Sequence, residues 1–135
     1  MAVVGFYFTK IHGEKTSEPN KKLSVDRAVN IQKVEKSDIA FGSQKQGSIL
    51  VAFSYEVVYA PEIGKIELNG NLLYLAPQEK LDEAIVQWKK ESTLPLDVMN
   101  PILQAIFTRA NIQALVMSRD LTLPPPFAIP SPKMR

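Results

Sequence analysis

The sequence predicts an α+β fold: a four-stranded antiparallel sheet followed by two C-terminal helices. Apolar side chains alternate with polar ones along much of residues 3–75, which is typical of strands. After Pro77 they recur at three- and four-residue intervals, which is typical of helices. Five of the ten prolines fall in residues 121–135, which predicts an extended tail. Because 135 residues fit one domain, we expect a single domain over residues 1–135 that ends in this tail.

The strand prediction is strongest at Ser48–Tyr59. Its odd-numbered residues are all apolar or aromatic and point to one face: Ile49, Val51, Phe53, Tyr55, Val57 and Tyr59. The opposite face is also largely apolar, so we expect a central strand with another layer on each side. The remaining strands and connections are predicted as follows: strands at Val3–Ile11, Leu23–Val34 and Ile63–Leu75, a loop at Gly13–Lys22 and a turn at Gly42–Gly47. Asn69-Gly70 marks either a tight hairpin turn or a bulge, and we expect the bulge.

Helical periodicity begins after Pro77. An amphipathic helix is predicted by apolar residues three and four positions apart, namely Leu81, Ile85 and Trp88. A longer helix is predicted to begin at about Asp97, or at an Asn100 N-cap followed by Pro101. We expect it to end near Arg119.

The second helix is apolar on more than one side. Between Pro101 and Ser118 its one charged residue is Arg109. One apolar stripe consists of Met99, Leu103, Ile106, Ala110 and Met117, and further apolar positions are Ile102, Ile112, Leu115 and Val116. A helix on the surface of a monomer needs a single apolar stripe, so a second one indicates another layer. We therefore predict that the stripe from Met99 to Met117 forms a contact between subunits of a homo-oligomer.

Composition argues against several functional classes. Sixteen basic and 14 acidic side chains give a formal charge of +2, too balanced for a dedicated nucleic-acid binder. The chain has no cysteine and a single imidazole, at His12, so we expect neither a metal site nor a cofactor. The N-terminal residues lack a signal-peptide pattern, and no uncharged apolar run reaches about 18 residues. We expect a cytoplasmic protein without membrane insertion.

Catalytic patterns are also missing from the sequence. It has no glycine-rich phosphate loop and no nucleophile elbow. His12 and Glu56 are the isolated candidates for acid or base chemistry, and we interpret both as solvated or structural. Asp82 and Glu83 are neighbours on a helix, so their side chains diverge and cannot flank a substrate. We expect no catalytic residues and no enzymatic activity.

Two stretches resemble the SecB family of export chaperones. Residues 66–74, Ile-Glu-Leu-Asn-Gly-Asn-Leu-Leu-Tyr, are similar to the SecB strand in which a glycine interrupts an apolar segment before the first helix. Residues 117–124, Met-Ser-Arg-Asp-Leu-Thr-Leu-Pro, are similar to the end of the long SecB helix, and Phe127-Ala-Ile-Pro continues like the family's tail. Archaeal members of the superfamily and SecB-like chaperones of toxin–antitoxin systems are the expected nearer relatives. The chain departs from the family in its charge. SecB proteins are acidic and dock the export motor through their acidic surface, whereas this chain has a formal charge of +2.

The resemblance implies a tetramer, built as a dimer of dimers, that holds unfolded or nascent polypeptides in apolar grooves. Aromatic side chains suit such grooves because they give large contact areas without strict sequence demands. The expected contacts are Phe53, Tyr55, Tyr59, Trp88, Phe107 and Phe127. Two alternatives remain open: these rings can belong to the core, and the chain can be a structural or regulatory homo-oligomer that binds no client. The proline-rich run from Leu123 to Phe127 can pack on its own domain or serve as a ligand for another.

Overall fold

A computed structural model describes residues 2–19, 22–37 and 46–127. It contains, in chain order, β1 (Ala2–Lys15), β2 (Ser24–Ser37), β3 (Gln46–Ala60), β4 (Gly64–Pro77), α1 (Gln78–Glu91) and α2 (Leu96–Asp120). All neighbouring strands are antiparallel, in the order β1-β4-β3-β2. The predicted fold class is therefore confirmed, and β3, the clearest strand of the sequence, is central.

The strands are longer than their alternation indicated. β1 continues to Lys15, where it pairs with Gly64, so the expected loop at Gly13–Lys22 begins inside the sheet. Gly13 lies against α2, since an added Cβ would be 2.8 Å from Cε of Met117, an atom at the end of a flexible side chain. The predicted turn at Gly42–Gly47 lies outside the described residues up to position 45, and so does the tail from position 128.

The irregularity expected at Asn69-Gly70 lies on the neighbouring strand. β4 passes through these residues without interruption, whereas Thr9 of β1 is the extra residue opposite them. An added Cβ at Gly70 would lie 2.8 Å from Cζ of Phe53 and would also clash with the carbonyl oxygen of Tyr7. The glycine therefore permits close approach of a ring and a strand, and neither a hairpin nor a β4 bulge is present.

Both helices pack on one face of the sheet. That face is buried along the two central strands, at Ile49, Val51, Phe53, Tyr55, Val57 and Tyr59 of β3 and at Ile66, Leu68, Leu72, Tyr74 and Ala76 of β4. The other face of β3 includes Glu56 and Val58, which are exposed. The expectation of a layer on each side of β3 is thus wrong for one subunit, because both helices of the described residues pack on the same face.

The long helix begins earlier than an Asn100 cap would require. Pro95 is its N-cap and its carbonyl accepts the backbone N–H of Met99 at 2.8 Å. Pro101 consequently lies inside the helix, where it has no N–H to donate to the carbonyl of Asp97. The Asp97 alternative was the closer prediction.

The buried stripe of α2 differs from the predicted subunit contact. It repeats every fourth residue: Val98, Ile102, Ile106, Ala110, Ala114 and Ser118. Ile106 and Ala110 are 0% exposed in a single chain, so they have no surface left for a second subunit. Their assignment to an oligomer contact is corrected, because their own sheet covers them. Met99, Leu103 and Met117 remain half-buried and keep part of their surface.

The described part of the tail packs on its own domain. Leu123 is 6% exposed and Pro126 is buried. The hydroxyl of Tyr59 donates a hydrogen bond to the carbonyl oxygen of Pro124 at 2.7 Å. Of the two alternatives for the proline-rich run, packing along the domain is the one observed.

Candidate polypeptide-binding surface

Three aromatic residues predicted to contact a bound polypeptide lie in the core. Phe53, Tyr55 and Tyr59 are at most 1% exposed. The Phe53 ring lies 5.1 Å from Phe6 and 6.4 Å from Phe8, measured between ring centroids. These residues form the floor beneath the helices, so their assignment as direct contacts is corrected.

Tyr55 instead connects the sheet to α2. Its hydroxyl donates a hydrogen bond of 2.6 Å to Oδ1 of Asn111, which also accepts Nη1 of Arg27 at 3.3 Å. Burial raises the pKa of Tyr55, so the phenol stays protonated and keeps its proton for donation. One amide oxygen therefore joins β2, β3 and α2.

The same arginine meets the tail. The guanidinium carbon of Arg27 lies 5.6 Å from the centroid of the Phe127 ring, within the range of a cation–π contact. Burial, with a contribution from Tyr55, raises the pKa of Tyr59 to about 12, and its protonated hydroxyl holds Pro124. The tail is thereby attached to the side of the domain where β2 lies.

Apolar side chains are exposed on the solvent side of α2. Phe107 is 38% exposed, Ile112 60% and Val116 38%, and we call these three the α2 apolar surface. Ile112 and Val116 are one helical turn apart. Phe107 is one turn before Asn111 and so lies on the side of α2 that faces β2.

The edge strand β2 continues this apolar region. Val25, Val29 and Ile31 pair with Tyr59, Tyr55 and Phe53, which places them on the helix-facing side of the sheet. All three remain half-buried, and we call them the β2 ledge. Arg27 lies within the same strand segment and contacts both Asn111 of α2 and the tail, so the ledge neighbours Phe107. Ile112 and Val116 lie further round the helix and point away from the sheet.

Of the predicted contacts, Trp88, Phe107 and Phe127 keep accessible surface. Phe107 and Phe127 lie on the β2 side of α2, as the contacts of Arg27 and Asn111 show. Trp88 lies on α1 and is half-buried. The structure thus brings two of the three together beside the ledge.

The titratable residues singled out in the sequence all lie at the surface. His12 lies 3.7 Å from Glu14, Glu56 is exposed, and Asp82 pairs with Lys36 at 3.0 Å. Glu83 is exposed on α1. Within the described residues, no group of three or more His, Cys, Asp or Glu side chains is placed to hold a metal ion. No described helix is long and apolar enough to cross a membrane.

The open face of the sheet carries one strongly perturbed carboxyl. Hydrogen bonds from Lys10, at 2.9 Å, and from Lys65 lower the pKa of Glu67 to about 2. The side chains of all three residues are partly exposed. This network links β1 to β4 and lies on the face opposite the helices.

Comparison with known proteins connects this geometry to one fold. No protein-family model and no curated protein matches the sequence. Among solved structures, the chain is similar to the Mycobacterium tuberculosis Rv1957 SecB-like chaperone in complex with a ChAD peptide from the Rv1956 HigA1 antitoxin. The TM-score is 0.50 at 11% identity, over 98% of this chain and 91% of that chain.

This chain has a SecB-like fold. The resemblance inferred from residues 66–74 and 117–124 is therefore confirmed at the level of the fold. At 11% identity the similarity concerns the fold alone, and the bound peptide is a property of the mycobacterial protein.

Sequence reasoning missed the two polar residues that organise the surface. Arg27 and Asn111 are 84 positions apart and meet only because α2 crosses the sheet. The available signal was Asn111 itself, a polar residue in the most apolar helix of the chain. A second signal was the hydroxyl of Tyr55, because a buried tyrosine hydroxyl needs a hydrogen-bond acceptor.

Proposed function

We propose that the protein is a homo-oligomeric holdase, a chaperone that binds unfolded or nascent polypeptides and prevents their aggregation. The client would lie along the α2 apolar surface and the β2 ledge, in contact with Phe107 and Phe127, and would reach Trp88 on α1. Exposed apolar side chains in extended arrangement suit a ligand whose defining feature is exposed apolar sequence.

One observation carries this proposal: Phe107 projects from α2 at 38% exposure on the side facing a half-buried apolar edge strand. Phe127 lies beside the same strand, on Arg27. A client crossing this region would meet aromatic and β-branched side chains with no charged residue other than Arg27 among the contacts named. The SecB-like fold supports the proposal, since the mycobacterial SecB-like chaperone was solved with a peptide.

Assembly is part of the proposal. Ile112 and Val116 point away from the sheet, so a single subunit leaves them in water. The accessible parts of Met99, Leu103 and Met117 offer apolar surface for a second copy, which leaves Ile112 and Val116 to the client. The SecB-like fold suggests a dimer of dimers as the assembly. Sedimentation should then show a species larger than the 15.1 kDa subunit at micromolar concentration.

Suppression of aggregation tests the holdase directly. An unfolded model protein is diluted from denaturant, and light scattering is followed as this protein is added, through one tetramer per client molecule and on to a several-fold excess. We expect scattering to fall in proportion to added tetramer. Unchanged scattering at several-fold excess would end the holdase proposal.

Matched variants locate the binding surface. Val116 and Val58 are exposed to nearly the same extent, 38% and 37%, but Val116 lies on α2 and Val58 on the open face of the sheet. Burial of either side chain under a bound client contributes roughly 1 kcal/mol to the binding free energy, which corresponds to about fivefold in affinity. We expect Val116→Asn and Phe107→Asn to weaken client binding by about that factor and Val58→Asn to leave it unchanged.

The second candidate is a structural or regulatory homo-oligomer without clients. The exposure of Ile112 and Val116 favours it to the extent that a second copy covers them. In that case Val116→Asn would dissociate the oligomer while the assembled wild-type protein shows no effect on scattering. Binding of an apolar dye to the assembled protein separates the two, because a holdase keeps an open patch of several hundred Å² and a scaffold need not.

A further inference from the structure

A second groove lies on the opposite side of α2, between this helix and the beginning of β1. Two adjoining depressions share Val3, Ala105 and Arg109 as lining residues. One extends along α2 to Pro101, and the other extends along β1 to Phe6. We call the two together the β1-side groove.

The groove is mainly apolar and has a single charged lining residue. Arg109 is exposed, and its guanidinium carbon lies 4.9 Å from the centroid of the Phe6 ring. Within the described part of the chain, no ion pair joins it to a carboxylate. The other two arginines that lie near or on α2 differ, since Arg27 is bonded to Asn111 and Arg119 lies 3.3 Å from Asp120.

A cation held on an aromatic ring has a defined chemical preference. The contact with Phe6 restricts the movement of the guanidinium, but the N–H groups at the periphery of the guanidinium can still donate hydrogen bonds. A carboxylate can accept two of these N–H groups at once, which a neutral amide oxygen cannot match in strength. Arg109 is also the one charged residue of α2 between Pro101 and Ser118, so the side-chain charge along this stretch of helix is positive.

We infer that the β1-side groove binds extended polypeptide segments in which an aspartate or glutamate lies among apolar residues, with Arg109 receiving the carboxylate. This inference rests on the proposed function, because the segment belongs to an unfolded client. Both depressions are shallow and open to solvent, so a chain can pass through, and the carboxylate belongs to an internal side chain rather than to a chain end. β1 is an edge strand of the sheet, which places unpaired main-chain groups beside the segment.

The groove and the α2 apolar surface then have separate tasks. Phe107, Ile112 and Val116 would bind apolar segments without regard to charge. Arg109 would add selectivity, by favouring segments that carry an acidic residue and disfavouring those with a lysine at the same position. A client long enough to cross α2 can occupy both.

Peptide binding tests the inference. The probes are fluorescent ten-residue peptides of alternating valine and serine with a central aspartate, asparagine or lysine, and anisotropy is measured at low and at high salt. We expect wild-type protein to bind the aspartate peptide about fivefold more tightly than the asparagine peptide at low salt, a ratio that salt reduces. The lysine peptide should bind most weakly.

Variants separate selectivity from folding. Arg109→Gln should bring the aspartate peptide to the affinity of the asparagine peptide while leaving the asparagine peptide unchanged, which a merely structural role would not do. Arg119→Gln, an arginine on the same helix outside the groove, should keep the full preference. Arg109→Lys should retain part of it, because charge remains but the two-pronged geometry is lost.

Each other outcome overturns a defined statement. Equal binding of the aspartate and asparagine peptides by wild-type protein, or an equal loss of both in Arg109→Gln, refutes the role of Arg109 and leaves the holdase intact. Failure of every peptide to bind refutes the proposed function together with this inference. If Arg109→Gln instead changes the sedimentation of the protein while peptide preference is absent, the groove is occupied by a second copy.

Discussion

Replacing Asn111 with alanine should destabilise the subunit through the hydroxyl of Tyr55. That hydroxyl donates to Oδ1 of Asn111 at 2.6 Å, and Tyr55 is 1% exposed, so water cannot readily replace the lost acceptor. An unsatisfied buried donor costs about 1–3 kcal/mol. The 3.3 Å hydrogen bond from exposed Arg27 adds little. We expect a loss of about 2 kcal/mol in the free energy of unfolding.

A double-mutant cycle isolates this interaction. Tyr55→Phe removes the donor and leaves Asn111, which is half-buried, able to turn toward water, so we expect a cost of about 1 kcal/mol. Because no donor is left unsatisfied, Asn111→Ala should add little in the Tyr55→Phe background. The double variant should then lose about 1–1.5 kcal/mol rather than the sum of about 3.

Urea denaturation at fixed protein concentration measures the cycle, with unchanged m-values as the requirement for comparing midpoints. Gln113→Ala is the matched control, a half-buried amide on the same helix, and should change stability by no more than about 0.5 kcal/mol. Additive losses at Asn111 and Tyr55 would show that the two groups do not depend on each other. A cost at Gln113 equal to that at Asn111 would assign the effect to the helix rather than to the hydrogen bond.

Three further predictions concern packing and charge. Gly70→Ala should lower the midpoint of thermal unfolding because its Cβ would lie 2.8 Å from a ring carbon of the core, whereas Gly5→Ala, whose nearest contact is 3.4 Å, should be tolerated. Ile106→Asp should unfold the subunit, since an unpaired charge at a fully buried site costs several kcal/mol against a total of about 5–15, while Gln113→Asp should leave it folded by circular dichroism. The pKa of Glu67 is lowered from 4.5 to about 2, so its contribution to stability should be present above pH 4.5 and lost as the pH falls toward 2. A carboxyl NMR titration with a midpoint above 4 would contradict this.

Local pattern was sufficient for the order and type of the elements. The odd-numbered residues of β3 are all apolar or aromatic, and this periodicity is a property of the strand itself, so it identified both the strand and its buried face. The change to helical spacing after Pro77 likewise located the start of α1, which begins at Gln78. The bulge could not be placed in the same way, because Gly70 is explained by Tyr7 and Phe53, which lie on the two neighbouring strands.

Tertiary structure decided which apolar residues are available to another molecule. The sequence shows that α2 has two apolar sides, but it does not show how the helix is rotated on the sheet. Ile106 was therefore assigned to a subunit contact, whereas in the structure its own chain covers it. The same physical reason separates the buried aromatic residues from the exposed ones. A ring on a central strand is covered by the helices that pack on the sheet, whereas a ring on the outer surface of a helix, such as Phe107, stays exposed. The sequence alone determined a SecB-like α+β chain with excess apolar surface. Only packing, which joins residues as distant as Arg27 and Asn111, determined where that surface lies.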